Sequence, residues 1–299
     1  MPFKTREGYR EWCRRYRAKN YAPAIPERAG VGVLHQYNLG MGLAQPLSIA
    51  VPKHGLKIAF IPDTQVMAGV PMEHLTWAGK YIAAKRPDVI VCIGDFVDLP
   101  SLNRHSKPLE REGARYANDI GAGRRAMDRL MAPIARCVGY DPWMEFTLGN
   151  HEDFVDRYVR EHPEQKGYMD VVEDLGLRDY GWRVHPFMQP IEIGGVAFCH
   201  YFPSGVRGEP ITTARALLAK LHMSAVAGHL QGKDIAYARR ADGGHMAAII
   251  SGSFYQHNYK YLSPFTNAHW RGMWMLHEVM DGRFDELPIS MGYLKRRFG

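Results

Sequence analysis

Five places in this 299-residue sequence put acid, amide or imidazole side chains directly after a short apolar run. KIAFIP is followed by Asp63-Thr64-Gln65, DVIVCI by Gly94-Asp95-Phe96-Val97-Asp98, and MEFTL by Gly149-Asn150-His151-Glu152. VAFC is followed by His200, and SAVA by Gly228-His229-Leu230-Gln231. Carboxylate, amide oxygen and imidazole are the side-chain ligands of divalent cations. Taken singly, an Asp after a strand reads as a helix cap, and Gly-Asn-His as a turn with an incidental histidine. Five in succession, with glycines letting the backbone turn sharply, read as one site.

For these side chains to meet, the runs before them must be strands of a common fold. The runs at 57–61, 88–93 and 144–148 suit buried strands and alternate with segments at helical spacing, 72–85 and about 114–132. That alternation predicts βαβ units in an α/β fold with a largely parallel sheet, whose site lies outside the carboxyl ends of the strands. Farther on, 191–200 reads as a hairpin around a Gly-Gly turn. A helix is predicted at 211–221 and strands at 224–227, 234–239 and 246–250. The sequence shows no internal repeat and no low-complexity tract.

Composition fits one large globular domain: 46% of residues are hydrophobic and 23% charged. No apolar run reaches the length of a membrane span, and the N-terminus lacks the apolar core of a signal peptide, so a cytoplasmic location is expected. Cys13, Cys92, Cys137 and Cys199 are widely spaced and read as reduced thiols, with Cys92 and Cys199 in the core. The formal charge is +7, and residues Lys4 to Lys19 contain seven cations against two anions. Residues 1–20 therefore form a basic arm, suited either to a polyanion such as nucleic acid or to a solvated helix face. Residues 21–56, rich in Pro and Gly, read as a linker or a wrapping segment before a domain at 57–299.

The ordered set Asp63, Gly94-Asp95-x-x-Asp98, Gly149-Asn150-His151-Glu152, His200 and Gly228-His229 resembles the calcineurin-like metallophosphoesterase superfamily, especially its bacteriophage-encoded members, over about residues 57–252. The resemblance implies a four-layer αββα sandwich of two mixed sheets flanked by helices, with a two-metal centre that hydrolyses phosphate esters. It implies that Asp95 bridges both ions, that Asn150, His200 and His229 complete one shell, and that Asp63 with the residues at 65 and 231 completes the other. His151 becomes the general acid, paired with Asp98. These residue types suit the chemistry. A shared carboxylate can hold two cations roughly 3.5–4 Å apart, so that both polarise one water and the phosphoryl oxygens. An imidazole beside a carboxylate can protonate a departing alkoxide.

The superfamily pattern has histidine where this sequence has Gln65 and Gln231, and both departures fall on the same ion. Amide and carboxylate oxygens favour Mn²⁺, Mg²⁺ or Ca²⁺, whereas imidazole favours Zn²⁺ or Fe²⁺. Mn²⁺ or Mg²⁺, weakly held or recruited with substrate, is expected there. The alternative is a vacant position and a single acting metal.

Around the site, Arg104, His105 and Lys107 read either as a clamp on a phosphate oxygen or as a solvated loop. Arg157 and Arg160 read as the exposed face of a helix. The tail is crowded with Tyr255, Tyr259, Tyr261, Phe265, Trp270 and Trp274. It could stack bases, but is taken as edge-strand and core packing, with His257 and His269 weak site candidates. The expected activity is a metal-dependent phosphodiesterase or nuclease acting on nucleic acid. A phosphomonoesterase on a nucleotide or phosphoprotein is one alternative. A non-catalytic binding or scaffold protein is the other, though it would have no need of the Asp98–His151 pair.

Overall fold

Strands that read as unbroken apolar runs must be covered on both faces, and the structure covers them with a second sheet and with helices. The computed structural model describes residues 45–104, 111–259 and 263–299. One six-stranded sheet has the order β12 (Arg283–Ser290), β11 (Gly272–Met280), β2 (Leu56–Ile61), β3 (Val89–Cys92), β4 (Trp143–Thr147), β5 (Arg183–His185). The other runs β1 (Gln45–Pro46), β6 (Ile191–Ile193), β7 (Val196–Cys199), β8 (Ser224–Ala227), β10 (His245–Ser251), β9 (Lys233–Arg239). Both are mixed: β2 to β5 are parallel and β11 antiparallel to β2, while β7, β8 and β10 are parallel and β9 antiparallel to β10.

Side chains alternate across each strand, which sorts the core into layers. Leu56, Ile58 and Phe60 of β2, with Val89 and Val91 of β3, face the other sheet and meet Val196, Phe198 and Val226. Phe60 stacks on Trp274 of its own sheet at 5.7 Å and meets Phe198 edge-on at 6.2 Å. The intervening residues Ala59, Ile61, Ile90 and Cys92 face helices α1 (Glu73–Lys85) and α2 (Tyr116–Ala135). α3 (Asp153–Glu161) follows β4, and α4 (Val171–Leu175) adds to the same outer layer. On the far side α5 (Ala214–Leu221) packs Leu217, Leu218 and Leu221 over Ala197, Ala225 and Ile250. After α6 (Pro264–Asn267) and the β11–β12 hairpin, α7 (Met291–Phe298) closes the first outer layer through Leu294. The result is the expected four-layer αββα sandwich.

The tail supplies core packing and an edge strand, as expected, but the edge is not where its aromatic run lies. β11 is not an edge strand: it lies between β12 and β2, and Trp274 is fully buried with its indole N–H donating to the Ser251 carbonyl at 2.8 Å. The edge is β12, which carries Pro288 and alternating exposed residues, as an edge tolerates. Tyr255, Tyr259 and Trp274 are buried and offer no ring face to a base, whereas Trp270 is partly exposed; Tyr261 and the Phe265 side chain lie outside the described residues. At the other end β1 pairs with β6, and the Leu47 N–H donates to the Glu192 carbonyl at 3.0 Å, so the segment before β2 lies along the second sheet. Residues 1–44, which include the basic arm and Cys13, lie outside the described residues. Among the described residues, no helix is long and apolar enough to cross a membrane.

A buried histidine ties α1 to the loop after β10. His74 donates its backbone N–H to Gln256 Oε1 at 3.2 Å, and its Nδ1 lies 3.0 Å from the same oxygen. Its ring meets Phe254 edge-on, and Nε2 is buried without a partner. Burial lowers the His74 pKa to about 4, against a favourable hydrogen bond to Gln256. The unfolded chain therefore binds this proton first as pH falls. The stability involved is complete above pH 6.5 and is lost as pH drops from there toward 4. Urea unfolding at pH 7 and pH 4 should show the native protein losing about 3 kcal/mol more than His74→Gln over that interval. Equal losses in the two proteins would show that His74 resists no proton.

Candidate metal centre

Where β2 and β3 end, their loops go on pairing. Gln65 N–H donates to Asp95 O, Val66 N–H to Phe96 O and Asp98 N–H to Val66 O, each at 2.9 Å, and Thr64 Oγ1 donates to Phe96 O at 2.7 Å. The β4 loop is joined to them by Glu152. Its fully buried carboxylate accepts the N–H groups of Asp95, Phe96 and Gly149 at 2.8 Å and of Val97 at 3.2 Å. Gly94 has φ +86°, and a Cβ on it would stand 2.5 Å from Gly149 N, so glycine is required where the two loops touch. Gln65, Asp95 and His229 also take left-handed backbone angles, at φ 39°, 48° and 66°. Such strain costs on the order of 1–3 kcal/mol per residue and gathers at functional sites.

The loops bring the side chains of four strand ends together. Asp95 Oδ2 lies 3.2 Å from His200 Nε2, and Asn150 Oδ1 lies 2.9 Å from His200 Nε2 and 2.8 Å from His229 Nδ1. Ligand atoms of Asp95, His200 and His229 all fall within 4.8 Å of one another. His200 Nδ1 donates to the Ile93 carbonyl at 2.8 Å, which fixes the ring and leaves Nε2 for the centre. Asp63 enters from the fifth loop, its Oδ1 accepting the His229 N–H at 3.1 Å, while its Oδ2 is buried without a partner. This donor set of carboxylates, amide and imidazoles fits a divalent cation, and the unpartnered Asp63 oxygen is a charge that a cation would satisfy.

Electrostatics follow from that crowding. Burial raises the Asp63 pKa to about 7, with His200 opposing and Asp95 adding to it. Burial pushes Asp95 the same way, but the imidazoles of His200 and His151 outweigh it and hold this carboxyl well below the usual range. His200 is lowered by burial yet lifted to about 9 by Asp95, whereas burial and the neighbouring His200 hold His229 down at about 4. His151 Nδ1 lies 2.6 Å from the Asp98 carbonyl and 3.2 Å from Asp98 Oδ1, and Nε2 points inward, 3.7 Å from Asp95 Oδ2. Burial lowers the His151 pKa, but Asp95 and Asp98 carry it up to about 10.

The remaining candidates fall differently. Gln65 and Gln231 meet each other, Gln231 Nε2 donating to Gln65 Oε1 at 3.2 Å. Arg104 is exposed and ion-paired with Glu161 at the end of α3, a pairing that competes with any phosphate clamp. His105 and Lys107 lie outside the described residues. Arg157 and Arg160 are exposed and engage Asp153. His257 stacks on Tyr255 at 4.6 Å, and His269 Nε2 lies 2.8 Å from Ser253 Oγ. Two features escaped the sequence reading: the bracing role of Glu152, and Tyr255 and Tyr259, whose hydroxyls donate to Gln231 and Gln65. Only the presence of Glu152 in Gly-Asn-His-Glu pointed to the first; nothing in the spacing pointed to the tyrosines.

A family model described as calcineurin-like phosphoesterase matches residues 56–213. The Gene 54 protein of Mycobacterium phage D29 is 27% identical over 204 residues, which span 65% of this chain and 76% of that protein. Among solved structures, a dimetal phosphatase from Danio rerio aligns with a TM-score of 0.38 at 12% identity, over 79% of this chain and 99% of that one.

The brace can be tested by itself. In Glu152→Gln an amide N–H₂ replaces one oxygen that now accepts from backbone N–H groups, so at least one buried donor is left facing another donor. The unfolding free energy should fall by about 2–4 kcal/mol, at a cost of about 1–3 kcal/mol per unpaired buried group. A change within about 0.5 kcal/mol in urea unfolding would show that the loops hold without it.

Proposed function

The chain belongs to the calcineurin-like phosphoesterase family, a hydrolase acting on phosphate esters with divalent metal ions, and on that premise we propose that it is a phosphodiesterase acting on nucleic acid. The observation that carries the reading is the convergence of Asp95, His200 and His229 beside the Asp98–His151 pair.

In this reading Asp95, Asn150, His200 and His229 would hold one divalent ion, and Asp63 would serve a second position. When bound, the ion supplies Lewis acidity toward the phosphoryl oxygens and activates the attacking water. The chain's residues do the rest. Asp95 stays ionised between its two imidazoles, and His229 stays neutral, as a ligand must. For an ion to bind, His200 would have to release its Nε2 proton, with Nδ1 still donating to the Ile93 carbonyl. His151 keeps Nδ1 on Asp98 and presents Nε2–H to the leaving oxygen. The carboxylates that raise its pKa keep that proton in place, and a cation at Asp95 offsets part of their pull. Oxygen donors on the Asp63 side favour Mn²⁺ or Mg²⁺, and the imidazole side also accepts Zn²⁺ or Fe²⁺. Nucleic acid as substrate is supported by the net charge of +7 and by the cations between Lys4 and Lys19.

Hydrolysis of bis- and mono-(p-nitrophenyl) phosphate with Mn²⁺, Mg²⁺, Zn²⁺ or chelator tests the proposal. Turnover should require metal, favour the diester, and fall by about 10²-fold or more in Asp95→Asn and in His151→Asn. Preference for the monoester would refute the diesterase reading. No turnover with any ion would move the protein to the binding-protein alternative.

A further inference from the structure

The two glutamines stand where the family pattern has histidines, and their amide oxygens are the atoms that would have to replace imidazole nitrogen on the second ion. Those oxygens are already engaged. Gln65 Oε1 accepts both Gln231 Nε2, at 3.2 Å, and the Tyr259 hydroxyl, which uses both lone pairs of that oxygen. Asp98 Oδ1 is the longer contact of the same hydroxyl, at 3.2 Å, so the proton is assigned to Gln65. Gln231 Oε1 accepts the Tyr255 hydroxyl, and Gln231 Nε2 is turned toward Gln65.

Neither tyrosine is loosely placed. Both are buried; His257 lies between them, stacked on Tyr255 and edge-on to Tyr259 at 4.9 Å, and the Arg271 guanidinium lies 4.7 Å over the Tyr255 ring. Tyr259 is also anchored through its backbone N–H to Asn267 Oδ1 at 3.1 Å. Asp63 Oδ2 remains buried and unpartnered, within electrostatic reach of Asp95. Two carboxylates thus remain available to serve a second position, while both lone pairs of Gln65 Oε1 and one of Gln231 Oε1 are already used.

We propose that Tyr255 and Tyr259 tie the amide oxygens of Gln65 and Gln231 away from the second metal position, leaving Asp63 and Asp95 as its only side-chain ligands. The chain then holds one divalent ion tightly and a second, hard oxygen-seeking ion weakly. This rests on the metal reading given above. It differs in sign from an ordinary supporting role. A tyrosine that held an amide oxygen toward an ion would strengthen binding, and its loss would weaken affinity by about 10–100-fold. A tyrosine that holds the oxygen away does the reverse.

Calorimetric Mn²⁺ titration of the full chain, with bound metal counted by elemental analysis, separates these roles. The native protein should show one tight ion and one weak one. In Tyr255→Phe/Tyr259→Phe the second ion should bind about tenfold tighter or more, with the first unchanged; retention of the first also reports that the variant is folded. If the double variant does not fold, Tyr259→Phe alone is read in the same way, since it frees Gln65. Second-ion affinity that is unchanged or weaker in the variant, or two tight ions in the native protein, would overturn the proposal. Absence of any tight ion in the native protein would instead sink the metal reading on which it rests.

Discussion

The carboxylate of Glu152 is the interaction on which the centre depends. Strands β3 and β4 both end inside the protein, where backbone N–H groups lose their ladder partners and have no water to replace them. One fully buried carboxylate accepts four of them, three from the Asp95 loop and one from the Asn150 loop. Hydrogen bonds to an ionised acceptor are the strong kind, and here they offset the cost of burying the charge. Because the same group grips both loops, Asp95 and Asn150 are set relative to each other before any ligand arrives.

That arrangement has an electrostatic consequence. Asp63, Asp95 and Glu152 are three buried carboxylates in one region, and the pKa values of Asp63 and Glu152 are raised, first by burial and then in part by Asp95. Imidazoles of His200 and His151 answer some of this charge, and the unpartnered oxygen of Asp63 leaves some unanswered. The two sheets divide the work. Asp63, Asp95 and Asn150 follow β2, β3 and β4 of one sheet, while His200 and His229 follow β7 and β8 of the other. The sandwich brings the carboxyl ends of these strands of both sheets together and so assembles this mixed donor set.

Much of this was legible in the sequence because β2, β3, β4, β7 and β8 are covered on both faces and so appear as unbroken apolar runs, each ending in the residue it delivers. Helices α1, α2 and α5 showed their own period. Other parts carry no such signature. β12 is a half-exposed edge with a proline, and without a visible partner its neighbour β11 could not be placed inside the sheet. Tyr255 and Tyr259 sit in a loop with no repeating pattern, and their bonds to Gln231 and Gln65 depend on how the chain returns past the first sheet. Glu152 was visible as a residue, but its role depends on the burial of four N–H groups that belong to two separate loops. Arg104 was read by its nearness in sequence to Asp98, whereas its partner Glu161 comes from α3.

The most direct measurement is anomalous diffraction at the manganese edge from crystals grown with Mn²⁺. The account predicts a strong peak bounded by Asp95, Asn150, His200 and His229, with His200 Nδ1 still on the Ile93 carbonyl. A peak held by other residues, or none there while these side chains keep their mutual hydrogen bonds, would contradict it.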